Sequence, residues 1–405
     1  MNQTSSPWSS PESQRDGLAL LRGLVQIPSP SGHEAEAVGY LVDWMAGHGF
    51  IAYRDQAGNA IGVLEAGSSK LEEASFQLPA SSFQPPAPSF QLPASSPQLP
   101  ASSFQPPVTR ELVLLGHIDT VPGFPPVEVC DGKLYGRGAV DAKGPLAAFA
   151  AAAALVGPQP GWRIIVVGAV EEEAATSKGA RHVASHHTPA FAVIGEPTGW
   201  GRVALGYKGR LLADVTMQRT MSHTAGPAVS APELAVGYWN RVSARLAELN
   251  AGRVRVWDQV QAGLRGFDSA DDGLLETAHM RLGFRLPLDV GPEELKGLLR
   301  SLDGAGDLAF HGEELAYRSE KNTPLVRAFL AAVRGQGGAP GFVVKTGASD
   351  MNVVGPIWGC PILAYGPGDS SLDHTPAEHV ELAEWKQGVA VLADALRRLT
   401  IPSRA

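Results

Sequence analysis

Gly116-His117-Ile118-Asp119-Thr120 closes the apolar run 111–115, and further along the chain comes Gly136-Arg137-Gly138-Ala139-Val140-Asp141. A leucine- and valine-rich run that breaks off in His-x-Asp reads as a buried strand delivering two polar side chains to its carboxyl end. That edge is where open α/β sheets place their chemistry. On its own, His-x-Asp also describes an ordinary hydrogen-bonded strand terminus, so the reading depends on further ligand-type residues reaching the same edge.

Several do. The continuous apolar run 162–170 ends in Glu171-Glu172-Glu173, and the run 191–194 ends in Gly195-Glu196-Pro197-Thr198. Asp141 leads through Ala142-Lys143-Gly144 into the helical stretch 145–156, and Asp373-His374-Thr375-Pro376 follows a Gly-Pro-Gly loop. Strands alternating with helices imply an α/β architecture. A triple glutamate fed by a central strand is no solvated face, because buried carboxylates are costly unless paired or ligated. Two histidines with three or more carboxylates form a donor set for a pair of divalent ions. One shared carboxylate can bridge two metals roughly 3.5–4 Å apart.

The 405 residues, 44% hydrophobic and 18% charged, suffice for a large core and more than one domain. A net charge of −8 without a Lys/Arg cluster argues against nucleic acid as a partner. No apolar run approaches the roughly 18 residues of a membrane span, and no membrane partner is expected. Residues 1–15 are polar and rich in Ser and Pro, which reads as a flexible tail rather than a signal peptide. Cys130 and Cys360 lie far apart without CxxC spacing, as expected of a cytoplasmic protein.

Helical periodicity covers 17–25 and 34–47, separated by Pro28-Ser29-Pro30-Ser31-Gly32, and short strands follow at 51–54 and 60–64. Between 75 and 107 the chain becomes a seven-residue repeat, beginning SFQLPAS and SFQPPAP. Proline in every unit forbids a continuous helix, so the segment is expected to be a disordered or polyproline-like insertion between two strands. Such an insertion costs little closure entropy. Near Gly206 the pattern changes: strands at 210–218, 278–287 and 307–313 alternate with helices at 232–249 and 292–302. That order implies a small two-layer α+β domain, 205–318, inserted into a catalytic domain made of 16–204 and 319–405.

These motifs resemble the M20 family of di-zinc peptidases and deacylases, over nearly the whole chain except the tail and the repeat. The resemblance implies an α/β zinc-peptidase-like domain with a mixed central sheet, plus an inserted lid or dimerisation domain. It also implies two Zn2+ per subunit, with Co2+ a possible substitute. Carried over, His117, Asp141 and Glu196 hold one metal, and Asp141, Glu172 and His374 the other. Asp119 orients His117, and Glu171 is the general base. The family pattern has Asp-Glu-Glu where this chain has Val170 and three glutamates, so base and ligand are either Glu171 and Glu172 or shifted by one residue. In Met221-Ser222-His223-Thr224-Ala225-Gly226-Pro227, His223 resembles the lid histidine that reaches a partner subunit's site and stabilises the oxyanion, which implies a homodimer. Arg285 is a candidate for gripping a substrate carboxylate.

Within the family, Lys345-Thr346-Gly347-Ala348-Ser349-Asp350-Met351-Asn352, Ala364-Tyr365-Gly366-Pro367-Gly368-Asp369-Ser370 and Gly206-Tyr207-Lys208-Gly209-Arg210 resemble one branch. That branch is the zinc-dependent hydrolases releasing lysine or ornithine from an amino-group carrier protein in lysine and arginine biosynthesis. The amide there joins the γ-carboxyl of the carrier's C-terminal glutamate to the α-amino group of the amino acid. Lys345 and Ser349 are the expected substrate contacts, and Lys208, Arg210, Arg219 and Lys345 a candidate face for an acidic carrier. The alternatives are an N-acetyl-ornithine or N-acetyl-lysine deacetylase and, from another class, an inactive M20-like binding protein.

Overall fold

The computed structural model describes residues 10–66, 109–223 and 225–401. The repeat lies outside the described residues.

The first part of the chain forms α1 (Pro11–Gln26), α2 (Ala35–Gly47), β1 (Ile51–Arg54) and β2 (Ala60–Glu65). Next come β3 (Arg110–His117), β4 (Glu128–Cys130), β5 (Lys133–Tyr135), α3 (Lys143–Val156), β6 (Trp162–Ala169), α4 (Lys178–His186), β7 (Phe191–Gly195) and β8 (Arg202–Tyr207). A second group follows: β9 (Gly209–Thr220), α5 (Ala231–Leu249), β10 (Gln261–Asp271), β11 (Leu275–Leu286), α6 (Pro292–Ser301) and β12 (Asp307–Glu314). The chain ends with β13 (Tyr317–Arg318), α7 (Pro324–Gly335), β14 (Gly341–Lys345), α8 (Asp350–Trp358), β15 (Ile362–Ala364), β16 (His379–Glu381) and α9 (Leu382–Thr400).

A nine-stranded mixed sheet carries the site, in the order β1-β2-β6-β3-β7-β15-β8-β13 with β14 also on β8. Its centre is parallel: β3 runs alongside β6 and β7, with His117 opposite Ala169 and Gly116 opposite both Gly168 and Gly195. The continuous apolar runs are explained by burial on both faces. Leu112, Leu114, Ile164 and Val166 enter one core with helices α1, α2, α3, α7 and α9, while Val113, Leu115, Ile165 and Val167 enter another with α4 and α8. The alanine-rich α3 approaches this sheet closely at the glycine row. A Cβ on Gly116 would lie 3.2 Å from the Cβ of Leu146, and one on Gly195 3.0 Å from the Phe149 ring.

Two expectations are corrected. The polar amino-terminal segment is helical from Pro11, because the Ser10 hydroxyl accepts from Ser13 N at 3.1 Å and caps the first turn. The large sheet also continues through Tyr207, past the expected break at 204, since β8 pairs with β13, β14 and β15.

The second group forms a four-stranded antiparallel sheet, β10-β11-β9-β12, covered on one face by α5 and α6. Alternate residues of β9, Leu211, Ala213, Val215 and Met217, pack under these helices. Arg210 and Leu212 therefore face the opposite way, toward the large sheet.

Candidate active site

The site assembles at the carboxyl edge of β3, β6 and β7. The parallel register brings the residues that follow those strands together: His117, the glutamates after Val170, and Glu196. The His117 Nδ1–H donates to the Asp119 carbonyl at 3.0 Å, which leaves Nε2 directed at Asp141 Oδ1, 3.2 Å away. The Asp119 carboxylate is fully buried. It lies 3.5 Å from His117 Nδ1, and it also accepts the backbone N–H groups of Glu172 and Glu173, each at 3.0 Å, and the Ser31 hydroxyl at 2.6 Å. It thus orients the glutamate turn as well as the imidazole.

That turn sets where each glutamate points. Glu171 adopts a left-handed backbone with φ of 59°, and its carboxylate turns outward to the Thr176 hydroxyl at 2.7 Å and Lys178 Nζ at 3.5 Å. Glu171, the expected base, is therefore not among the clustered groups. Glu172, the expected ligand paired with His374, faces the pocket with Oε2 4.0 Å from His117 Nε2. Glu173 occupies the position expected of Glu172, its Oε1 2.9 Å from His374 Nε2. The physical reason is the positive φ at Glu171, which ends the strand's two-residue alternation one position earlier than the sequence pattern suggests.

Asp141 is the hub. One carboxylate oxygen meets His117 and the other meets His374 Nε2 at 3.0 Å. Arg137 and Glu378 hold this arrangement from behind: the guanidinium meets Glu378 at 2.6 Å, and the other Glu378 oxygen accepts from the N–H groups of Val140 at 3.0 Å and Asp141 at 3.1 Å. Arg137 also donates to the Gly123 carbonyl at 3.0 Å. Ligand atoms of His117, Asp141 and Glu173 all lie within 4.8 Å of one another, a spacing that can hold a metal ion.

The electrostatics match that donor set. Burial, reinforced by Glu196 and Asp350, pushes the Glu172 carboxyl well above its ordinary value despite His117. Burial and Asp141 do the same to Glu196. Asp141 is buried too, but hydrogen bonds from both histidines hold it far below the usual carboxylate range, and bonds to Asp141 and Glu173 raise His374 to about 10. So many ionisable oxygens in one desolvated place are stable together only around positive charge.

A cavity of about 420 Å³ lies above the cluster. Its floor carries Asp141, Glu172, Glu173, Glu196 and His374, and Arg210, Arg265 and Arg285 come from the four-stranded sheet opposite. The side-chain ammonium of Lys345 lines it as well, donating to the Pro197 carbonyl at 2.6 Å. Ser349 is buried away from the cavity, where it accepts from Met351 N at 3.2 Å and caps α8. Lys208 is fully buried and its ammonium is bound to the Val256 and Gln259 carbonyls and to Gln261, so it offers nothing to a docking protein. Arg219 lies near the far end of β9, so these cations do not form one face. His223 is exposed beyond Thr220. At about 3.3 Å per strand residue, that end lies on the order of 30 Å from Arg210 in the cavity wall, out of reach of the cluster in the same chain.

Sequence reasoning assigned no role to Arg137, Glu378, Tyr207 or Asp350. Tyr207 lines the cavity and Asp350 starts α8; each is buried with a side-chain oxygen that has no hydrogen-bond partner among the described residues. The signal available for Arg137, Tyr207 and Asp350 was their place inside motifs already singled out, the stretches 136–141, 206–210 and 345–352, whereas Glu378 lies outside every one of them.

Residues 113–398 match the model of peptidase family M20/M25/M40. The chain belongs to that family. It is 43% identical to the LysW-lysine hydrolase of Deinococcus radiodurans over 94% of this chain and 96% of that protein. With a Thermococcus kodakarensis protein named putative LysW-lysine/LysW-ornithine hydrolase it shares 33% identity, over 96% and 93% of the two chains. Among solved structures, a Bacillus subtilis protein described as a dinuclear metal-binding peptidase of the M20 family matches with a TM-score of 0.61, 11% identity, and coverage of 97% and 100%. The chain is thus a hydrolase of this family, with a mixed α and β fold built on a mixed central sheet, as in the solved M20 structures. No helix among the described residues is long and apolar enough to cross a membrane.

Proposed function

We propose that this hydrolase releases lysine, and ornithine where the pocket accepts it, from an amide with the γ-carboxyl of the C-terminal glutamate of an amino-group carrier protein. The observation that carries the reaction class is the split of Asp141, one oxygen toward His117 and the other toward His374. That is the disposition of a carboxylate shared between two cations. His117 and Glu196 would complete one site and His374 and Glu173 the other, an imidazole and carboxylate donor set that suits zinc and accepts cobalt. Bound there, the metals supply Lewis-acid polarisation of the amide carbonyl and acidify water.

The chain's own groups do the rest. Glu172 takes the proton from water and returns it to the leaving amine: its carboxylate faces the cavity, and its closest basic neighbour is His117 at 4.0 Å. Asp119 fixes the imidazole of His117 and the turn bearing Glu172. Arg285 holds a substrate carboxylate, and Lys345 guards the neighbouring wall. His223 serves the site of a second copy, so the working unit is a homodimer. The substrate assignment rests on the resemblance of the 206–210 and 345–370 stretches and on the names of the relatives.

The deciding assay offers the metal-loaded enzyme a carrier carrying γ-linked lysine and, separately, N-acetyl-lysine and N-acetyl-ornithine. Faster turnover of the carrier-linked amide is expected, with two metals bound per chain. Equal or better turnover of an acetyl compound would sink the assignment in favour of a deacetylase, and absence of both metal and hydrolysis would leave a binding protein.

A further inference from the structure

On the helix-free face of the four-stranded sheet, three guanidiniums gather above the carboxylate cluster. Arg210 on β9 is paired in register with Arg285 on β11, although like charges directly opposite across strands destabilise a sheet. Arg265 arrives through an irregularity. Leu264 stands opposite Leu282, but Gly266 stands opposite Arg281, so Arg265 is the extra residue of a bulge. Bulges re-aim side chains in this way. Its side chain then lies across Gly283, where an added Cβ would fall 2.4 Å from Arg265 Nε. Gly283 belongs to the same strand face as Arg285, and its partner across the ladder, Leu212, lines the cavity.

Among the described residues, no carboxylate lies at ion-pair distance from Arg210, Arg265 or Arg285. The buried Glu314 is paired with Arg181 instead. Arg210 donates to the carbonyls of Gly312 at 3.0 Å and Ala175 at 3.4 Å, whereas Arg285 Nη1 is buried without a partner among the described residues. A like-charged cross-strand pair, a bulge and a glycine combine to concentrate positive charge at a cost in stability, the mark of a site that an anionic ligand completes.

One carboxylate is satisfied by a single guanidinium through two parallel hydrogen bonds. Three guanidiniums exceed that need. We infer that this wall binds two carboxylates flanking the scissile amide, and that Arg265 takes the free α-carboxylate of the residue whose side-chain carboxyl forms the amide. The inference rests on the proposed γ-glutamyl reaction, in which the released amino acid brings one carboxylate and the glutamate keeps another. Arg285, half-buried with its Nη1 enclosed, is placed for the amino acid's carboxylate deep in the cavity. A carrier protein cannot enter a space of about 420 Å³, so the residue attached to it remains at the lip, where Arg265 is exposed. Selection is then for a γ-linked glutamyl group with its α-carboxylate free.

The test uses N-α-(γ-glutamyl)-lysine and the same compound with the glutamyl α-carboxyl converted to a carboxamide. Both are offered to the metal-loaded wild type and to Arg265→Gln, and both are titrated by calorimetry into metal-loaded Glu172→Gln, with and without Arg265→Gln. The free acid should exceed the amide at least about tenfold in kcat/KM and in affinity, as a charged hydrogen bond predicts. Arg265→Gln should bring that ratio close to one in both measurements. Hydrolysis without discrimination, or discrimination that survives Arg265→Gln, overturns the inference while sparing the reaction. Discrimination in binding without hydrolysis overturns the proposed reaction while sparing the role of Arg265. Equal binding without hydrolysis overturns both.

Discussion

In the floor of the cavity, Glu196 and the glutamates after Val170 follow parallel strands while Asp141 and His374 arrive on loops, whereas the roof is made of side chains that stand on an antiparallel sheet. In the floor, one parallel register aligns the ends of β3, β6 and β7 and brings His117 together with Glu172, Glu173 and Glu196 from distant parts of the chain. Those groups answer one another: each oxygen of Asp141 meets a histidine, and Glu173 meets His374. In the roof, Arg210 faces Arg285 across a ladder and Arg265 joins them through a bulge, with no carboxylate at ion-pair distance among the described residues. On the proposed reaction, the floor holds the cations and breaks the bond, and the roof receives an anionic substrate. That proposal assigns chemistry and selection to two different sheets.

The largest effect should separate two neighbours in the floor. Glu172→Gln should lower kcat by roughly 10²–10⁴, the usual worth of a positioned proton acceptor, while both metals stay bound. Glu171→Gln should leave kcat and metal content nearly unchanged, because its carboxylate faces Thr176 and Lys178. Steady-state kinetics with metal analysis of both proteins decides the matter. A reversed pattern would mean that the turn after Val170 has been assigned in the wrong register.

A smaller effect should come from behind the ligands. Glu378 is almost fully buried, paired with Arg137 and bonded to the amides of Val140 and Asp141. Glu378→Gln should therefore weaken metal binding about 10- to 100-fold, as loss of a ligand's supporting partner does, measured by competition with a chelator. The amidation preference set by the roof should persist at saturating metal. If that preference disappeared as well, floor and roof would not be separable parts.

The contrast also explains what could be read from the sequence. His117, Asp141, Glu196 and His374 follow strands or glycine-rich turns, and a strand's carboxyl end is visible as the place where an apolar run stops. The choice among Glu171, Glu172 and Glu173 was not visible, because it depends on one left-handed residue that propensity does not mark in glutamate. Ser349 looked like a substrate contact and is an N-cap, a role that serine fills for purely local reasons. Lys208 looked like a surface charge, yet three carbonyl oxygens from the segment 256–261 enclose it. The Arg265 position was the least legible. A bulge appears only when two strands are paired, and β10, with its glycines and exposed charges, gives no clean alternation.

Two buried lysines extend the comparison to stability, with the smallest expected effect. Lys143 lies under the floor at the start of α3, donating to the carbonyls of Leu24 at 3.0 Å and Ile27 at 2.6 Å, and Lys208 lies at the joint with the roof. Burial lowers Lys143 from its ordinary 10.5 to about 8 in the folded chain. Below about pH 8 both folded and unfolded states carry the proton. Between about 8 and 10.5 the unfolded chain holds a proton that the folded chain has released, so this group makes stability rise with pH across that window. The full shift corresponds to something on the order of 3 kcal/mol. Lys143→Met should lower the gain in unfolding free energy between about pH 7.5 and pH 10, measured by urea titration, relative to wild type. The remaining slope should then reflect Lys208, which burial also lowers to about 8. If Lys143→Met left the pH dependence unchanged, the ammonium beneath the floor would be solvated rather than held by two carbonyls, and α3 would not be anchored to α1 in the way that keeps the floor rigid.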